Sequence, residues 1–130
     1  MRCAQMNDYI VIKKRRSNYP NPLTLIKGQS VIMGEKYEGP ENWENWIFCT
    51  TQSEGNQKIS GWVPMQLLDT KGTEAIVLED YTARELNVDE GDQLVGHREL
   101  NGWRWCTHRM NSEEGWVPAG NLQLADDYFL

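Results

Sequence analysis

The chain has little of what catalysis and membrane insertion require. Its 130 residues include two histidines, His97 and His108, and three cysteines, Cys3, Cys49 and Cys106. No Cys-x-x-C, no metal-ligand spacing and no phosphate-cradling glycine loop is present, and no motif places a pair of carboxylates. The expectation is therefore a protein without cofactor or metal that is not an enzyme. No apolar run approaches the roughly 18 residues that a membrane span needs. The first eight residues, Met1 to Asp8, have no apolar core of a secretory signal. With an odd cysteine count, this predicts free thiols in a reducing, cytoplasmic setting. No stretch carries a long 3.6-residue apolar period, which excludes helical bundles.

What is present is a repeat. Gly61-Trp62-Val63-Pro64 returns as Gly115-Trp116-Val117-Pro118, 54 residues on. Each copy follows a Trp-x-x-Cys, at Trp46-Ile47-Phe48-Cys49 and Trp103-Arg104-Trp105-Cys106, with an offset of 57. Self-similarity of this kind signals two copies of one small unit. At about 60 residues, such a unit is near the lower limit for autonomous folding and has no room for a deep catalytic cavity.

Short β-branched and aromatic runs separated by turn residues recur in the same order in both copies. In the first copy they are Tyr9-Ile10-Val11-Ile12, Leu23-Thr24-Leu25, Ser30 to Met33, Trp46 to Thr50 and Gly61 to Val63. In the second they are Ala75-Ile76-Val77-Leu78, Leu86-Asn87-Val88, Gln93 to Gly96, Trp103 to Cys106 and Gly115 to Val117. This spacing predicts an all-β protein of small barrels or sandwiches. Asp69 to Glu74, polar and holding Gly72, is expected to be a linker, with domains at residues 7–68 and 75–124. Cys49 and Cys106, matched within strands, are expected to be packed small apolar residues.

The ordered motifs resemble the SH3 domain, twice in tandem. In the second copy Val77-Leu78-Glu79-Asp80-Tyr81 stands for the family's Ala-Leu-Tyr-Asp-Tyr, and Leu86 to Asp92 for its Leu-x-Phe-x-x-Gly-Asp. Trp103 to Cys106 stands for Trp-Trp-x-Ala, and Gly115 to Pro118 for Gly-x-Ile-Pro. The first copy offers Leu23 to Gln29, Trp46 to Cys49 and Gly61 to Pro64. The resemblance implies two five-stranded SH3-like barrels and non-enzymatic binding of a protein or peptide segment, Pro-rich or acidic, in shallow aromatic grooves.

Carried over residue by residue, Trp46 and Pro64 line the first groove, and Tyr81, Trp103 and Pro118 the second. Leu67, Glu79 and Asn121 stand where the family has tyrosine, and Lys13 and Arg15 fall near the first copy's missing tyrosines. Tyr19 is expected to lend a ring to the first groove, and Trp62 and Trp116 to flank the two sites. Trp43 and Trp105 are read as structural.

Two other functions compete. One is a structural or assembly unit, as packed repeats or a homodimer, with the tryptophans buried between repeats or subunits. The other is binding of cell-wall peptide or glycan. Charge is uneven: residues 1–70 hold 8 Lys/Arg against 7 Asp/Glu, residues 71–130 hold 5 against 12. That balance argues against nucleic acid or an anionic membrane as partner. The basic run Lys13-Lys14-Arg15-Arg16 is complementary to Glu79, Asp80, Glu85, Asp89, Glu90 and Asp92, and attraction between them is expected to orient the repeats.

Overall fold

The structure, a computed structural model, describes residues 7–17, 22–38, 45–51 and 58–128. Cys3, Tyr19 and Trp43 lie outside the described residues. The strands, in chain order, are β1 (Asn7–Val11), β2 (Thr24–Leu25), β3 (Ser30–Lys36), β4 (Trp46–Thr51), β5 (Ser60–Pro64), β6 (Leu68–Lys71), β7 (Glu74–Val77), β8 (Tyr81–Thr82), β9 (Gln93–Leu100), β10 (Trp103–His108), β11 (Glu114–Pro118) and β12 (Leu122–Leu124). A single 3₁₀ turn follows β5 (Met65–Leu67) and another follows β11 (Ala119–Asn121). The protein is all-β, as the spacing of its short β-branched and aromatic runs predicts. Among the described residues the one α-helical segment is a single turn, Ala125–Tyr128, and no helix is long and apolar enough to cross a membrane.

The strands form two five-stranded antiparallel sheets, ordered β11-β10-β9-β1-β12 and β5-β4-β3-β7-β6, with β2 and β8 paired separately. The chain divides accordingly into two compact units. Unit 1 is Met1–Asn18 with Glu85–Leu130, and unit 2 is Tyr19–Arg84. This differs from the expected division at residues 7–68 and 75–124. The first strand of each repeat lies in the barrel of the other. β1 pairs with β9 and β12 of the second repeat, and β7 pairs with β3 and β6 of the first.

The cause is local. Residues 69–74, expected to be a linker, are the end of one strand, a two-residue turn and the start of the next. Lys71 is paired with Glu74 across Gly72-Thr73, and Gly72 has φ 66°. Glycine at the first central position of a two-residue loop is the signature of a type II′ hairpin. Such a turn makes β6 and β7 antiparallel neighbours, so β7 stays with the barrel that β6 closes. The edge that β1 would have taken in its own repeat is thereby filled, and β1 completes the other unit.

In unit 1 the fully buried cluster joins Val11 from β1, Leu86 and Val88 from the segment before β9, Leu94, Cys106 and Val117, with Leu122 packed against it. In unit 2 the corresponding buried positions are Leu23, Leu25, Val31, Cys49, Val63, Ala75 and Val77. The repeated Gly-Trp-Val-Pro now has a physical explanation. Val63 and Val117 are fully buried, while Pro64 and Pro118 end their strands opposite Trp46 and Trp103. The glycines admit the segment that crosses them. A Cβ at Gly61 would lie 3.0 Å from Leu23 Cβ, and one at Gly115 would lie 2.7 Å from the backbone nitrogen of Leu86.

Candidate functional site

The exchange redistributes the expected groove residues. In unit 2, Trp46 on β4 faces Pro64 on β5, and Tyr81 on β8 joins them. Its hydroxyl donates to the Trp62 carbonyl at 3.0 Å. Tyr81 was expected beside Trp103 and Pro118. It stands in the other unit because β7 and β8 follow β6 there.

Trp46 is buried at 7% exposure, and Tyr81 and Pro64 are buried as well. The flat face expected of Trp46 is therefore not offered to solvent. Trp62 is half-buried. Its ring sits edge-to-face with Phe48, its cross-strand partner, and with Tyr37, both at 5.2 Å between centroids. Both neighbours are half-buried too, so the three rings form one partly open aromatic cluster.

In unit 1, Trp103 on β10 faces Pro118 on β11. Trp103 is 6% and Trp116 is 7% exposed. Trp116 packs edge-to-face on its cross-strand partner Trp105 at 5.3 Å. It is covered because the incoming chain runs beside it: the Leu86 N–H donates to the Trp116 carbonyl at 3.0 Å. The Arg15 guanidinium lies over the Trp103 ring, 5.1 Å from its centroid, and Arg15 Nε pairs with Glu85 Oε1 at 3.2 Å. Arg16 pairs with Asp89. The complementarity between the basic run and the acidic segment thus takes the form of ion pairs inside one compact unit, since β1 and its following residues belong there.

The positions where the family has tyrosine carry structural contacts instead. Asn121 Nδ2 donates to the Lys13 carbonyl at 3.0 Å, and the Leu67 carbonyl accepts the Leu78 N–H at 2.8 Å.

Cys106 and His108, two apart on β10, have separate partners. The Cys106 thiol contacts the Arg104 carbonyl. His108 Nδ1 accepts the Met110 N–H at 3.1 Å, leaving Nε2 to donate to Asp92 Oδ2 at 3.1 Å. Burial pushes the Cys49 thiol up to about 11. It pushes Cys106 up to about 12, against the opposing charge of Arg104. At pH 8 these values leave a thiolate fraction of about one in a thousand or less, and the thiolate is the nucleophile. The expected result is that iodoacetamide labels Cys49 on the order of a hundredfold, and Cys106 on the order of a thousandfold, more slowly in folded than in urea-unfolded protein, followed by peptide mass spectrometry. Rapid labelling of folded protein at either site would contradict the packed-thiol assignment.

Burial raises the Asp92 carboxyl, but the Asp89 N–H, the His108 hydrogen bond and the positive charges of His108 and Arg16 outweigh it and hold the group below its ordinary value. A depressed carboxyl contributes stability that is present above its unfolded value, about 3.9, and lost as pH falls through its folded value. Asp92→Asn is therefore expected to flatten the acid limb of unit 1 stability below about pH 4, measured by urea unfolding at pH 3 to 7. An unchanged acid limb would remove Asp92 as its source.

Among the described residues no cluster of His, Cys, Asp and Glu could hold a metal, and no buried side-chain nitrogen or oxygen lacks a hydrogen-bond partner.

Two five-stranded antiparallel units, each closed by a 3₁₀ turn before the last strand of its repeat, define small SH3-like barrels. The family model of the variant SH3 domain matches residues 9–69, just under half of the chain. No curated protein and no solved structure matches the chain. Domains of that family are typically protein-interaction modules, and the match suggests the same class for this stretch. The matched stretch is divided between the two units: residues 9–18 lie in unit 1 and residues 19–69 in unit 2, whose sheet is completed by β7, from beyond the match.

Sequence reasoning missed Tyr37 and Phe48 as site residues. Phe48 had a signal, since the 57-residue offset aligns it with Trp105. Tyr37 had none, because its place beside Trp62 follows from the path of the chain leaving β3.

Proposed function

We propose that the protein binds an extended, proline-bearing segment of another protein, without catalysis, on the aromatic cluster of unit 2. The observation that carries this is the half-open Trp62, held edge-to-face between Tyr37 and Phe48. Aromatic rings in a shallow surface accept the preformed polyproline-II helix at low entropic cost, and tryptophan and tyrosine are the rings that dominate interface energies. Tyr81 fixes the Trp62 backbone through its hydroxyl, and buried Pro64 ends the same strand. The burial of Trp46, Trp103 and Trp116 favours a structural part for those three rings. It limits the binding reading to Trp62 and its two neighbours.

The test is an amide correlation spectrum of labelled protein, titrated separately with a proline-rich and an acidic peptide. The expected result is a selective shift of the Trp62 indole N–H with the proline-rich peptide. Trp62→Ala is expected to weaken binding at least tenfold, as a hot spot worth about 2 kcal/mol requires, while the fold persists. Unmoved Trp62 at millimolar peptide, or unchanged affinity in the variant, would refute the proposal.

A further inference from the structure

Tyr9 of β1 pairs with Leu94 of β9, and Ala75 of β7 pairs with Val31 of β3. The two strands therefore hold the same place in their barrels. So do Gly96 and Met33, each two residues beyond that partner and each paired with the buried cysteine of its unit, Cys106 or Cys49. Side chains on such a diagonal share one face of the sheet and reach each other. Their sizes are opposite in the two units: unit 1 sets a tyrosine against a glycine, and unit 2 an alanine against a methionine.

In unit 1 the fit is close. A Cβ at Gly96 would stand 2.7 Å from Tyr9 Cδ2 and 2.7 Å from Arg104 Cδ. The Arg104 guanidinium lies over the Tyr9 ring, 5.1 Å from its centroid. It donates to the His97 carbonyl at 2.9 Å and to Glu99 Oε1 at 2.7 Å, which hold it there. Bare glycine backbone and guanidinium thus bound a slot for one ring. In unit 2 Met33 takes the place of Gly96 and Ile47 that of Arg104, and both Ile47 and Ala75 are buried. A β1 kept in its own repeat would press Tyr9 onto Met33, and a β7 kept in its own would leave the Gly96 slot empty. Overpacking and voids both destabilise a small core.

We propose that these two size-matched pairs form a lock that directs the strand exchange: Tyr9 fits the barrel that offers Gly96 and Arg104, and Ala75 the barrel that offers Met33 and Ile47. The same strands otherwise allow two tandems, one exchanged and one not, and a modest difference in packing shifts the population between them. The choice reaches the ring cluster of unit 2. Tyr81 follows β7, so its hydroxyl bond to the Trp62 carbonyl belongs to the exchanged tandem alone.

The test reverses the sizes on the two strands and leaves both receiving sheets intact. In the full chain carrying Tyr9→Ala and Ala75→Tyr, the unexchanged tandem has both matches and the exchanged one has neither. Nuclear Overhauser effects between strands report the outcome. Residue 9 lies opposite Leu94 in the wild type and is expected to lie opposite Val31 in the variant, shifting the ratio of the two contacts by about tenfold or more. Adding Gly96→Met and Met33→Gly restores the matches to the exchanged tandem and is expected to bring the Leu94 contact back. If the double variant does not fold, recovery of the fold and of that contact in the quadruple variant supports the lock, and no recovery overturns it. A Leu94 contact that persists in the double variant would show that the Gly72-Thr73 turn alone assigns the strands, and would overturn the proposal. No peptide enters these measurements, so the lock and the peptide function can fail separately.

Discussion

Gly115→Ala is expected to lower the Tm of unit 1 by on the order of 15 °C, while its counterpart Gly61→Ala is tolerated. The two glycines occupy the same place in the repeat, so sequence alone predicts equal effects. The difference lies in what a methyl group meets. At Gly115 it would stand 2.7 Å from Leu86 N, 2.8 Å from the Glu85 carbonyl carbon and 3.1 Å from Leu86 Cα. These are backbone atoms. The Leu86 N–H is tied to the Trp116 carbonyl and its side chain is buried in the core cluster, so the segment cannot recede without giving up both. At Gly61 the nearest atom is Leu23 Cβ at 3.0 Å, and a shift of a few tenths of an ångström relieves it. Overpacking against a fixed backbone costs about 3 kcal/mol, against about 1 kcal/mol where a side chain gives way. For a unit of this size the first figure lowers Tm by on the order of 15 °C. Thermal unfolding followed by the indole signals of Trp103, Trp105 and Trp116 measures it. Equal Tm losses for the two variants would show that the crossing segment does not hold Leu86 against Gly115.

How far the sequence discloses this architecture depends on the range of the interaction. Strand positions were legible because side-chain alternation is local. So were the turns at Ile26 to Gln29 and Asp89 to Asp92, where Gly28 and Gly91 both adopt φ near 90° at matched places in the repeat. The two thiols were legible as packed apolar groups, since each recurs at the same register inside a strand. The assignment of strands to barrels was not. The apolar pattern of Tyr9-Ile10-Val11 and of Ala75-Ile76-Val77 is the same, so it does not distinguish one recipient sheet from the other. What decides is the two-residue turn at Gly72-Thr73 with the matching of Tyr9 to Gly96, and a polar Gly-containing hexapeptide reads equally well as a linker or a hairpin. The groove followed the same error. The resemblance assigns Tyr81 to the groove of Trp103 and puts Arg15 near that of Trp46, whereas the strand pairing sends each to the other unit.

That exchange makes the effect of a single charge diagnostic. Val11 is fully buried in the unit 1 cluster, although it precedes most of that unit by more than 70 residues. Val11→Asp places a carboxylate among the buried apolar side chains of Leu86, Val88, Leu94 and Val117. An uncompensated buried charge costs roughly 3–5 kcal/mol, comparable to the whole stability expected of a barrel this small. The indole peaks of Trp103, Trp105 and Trp116 are therefore expected to lose their dispersion, while those of Trp46 and Trp62 keep theirs. Val77→Asp, at a buried position in unit 2, is expected to do the reverse. In a tandem without exchange the assignments invert: Val11 would belong with Trp46 and Trp62, and Val77 with Trp103, Trp105 and Trp116. One spectrum of each variant thus decides which barrel each strand completes. It also decides whether Arg15, four residues beyond Val11 on the same arm, can reach Trp103, because a chain that kept β1 in its own repeat would carry that guanidinium to the first repeat and leave the Glu85 carboxylate without it.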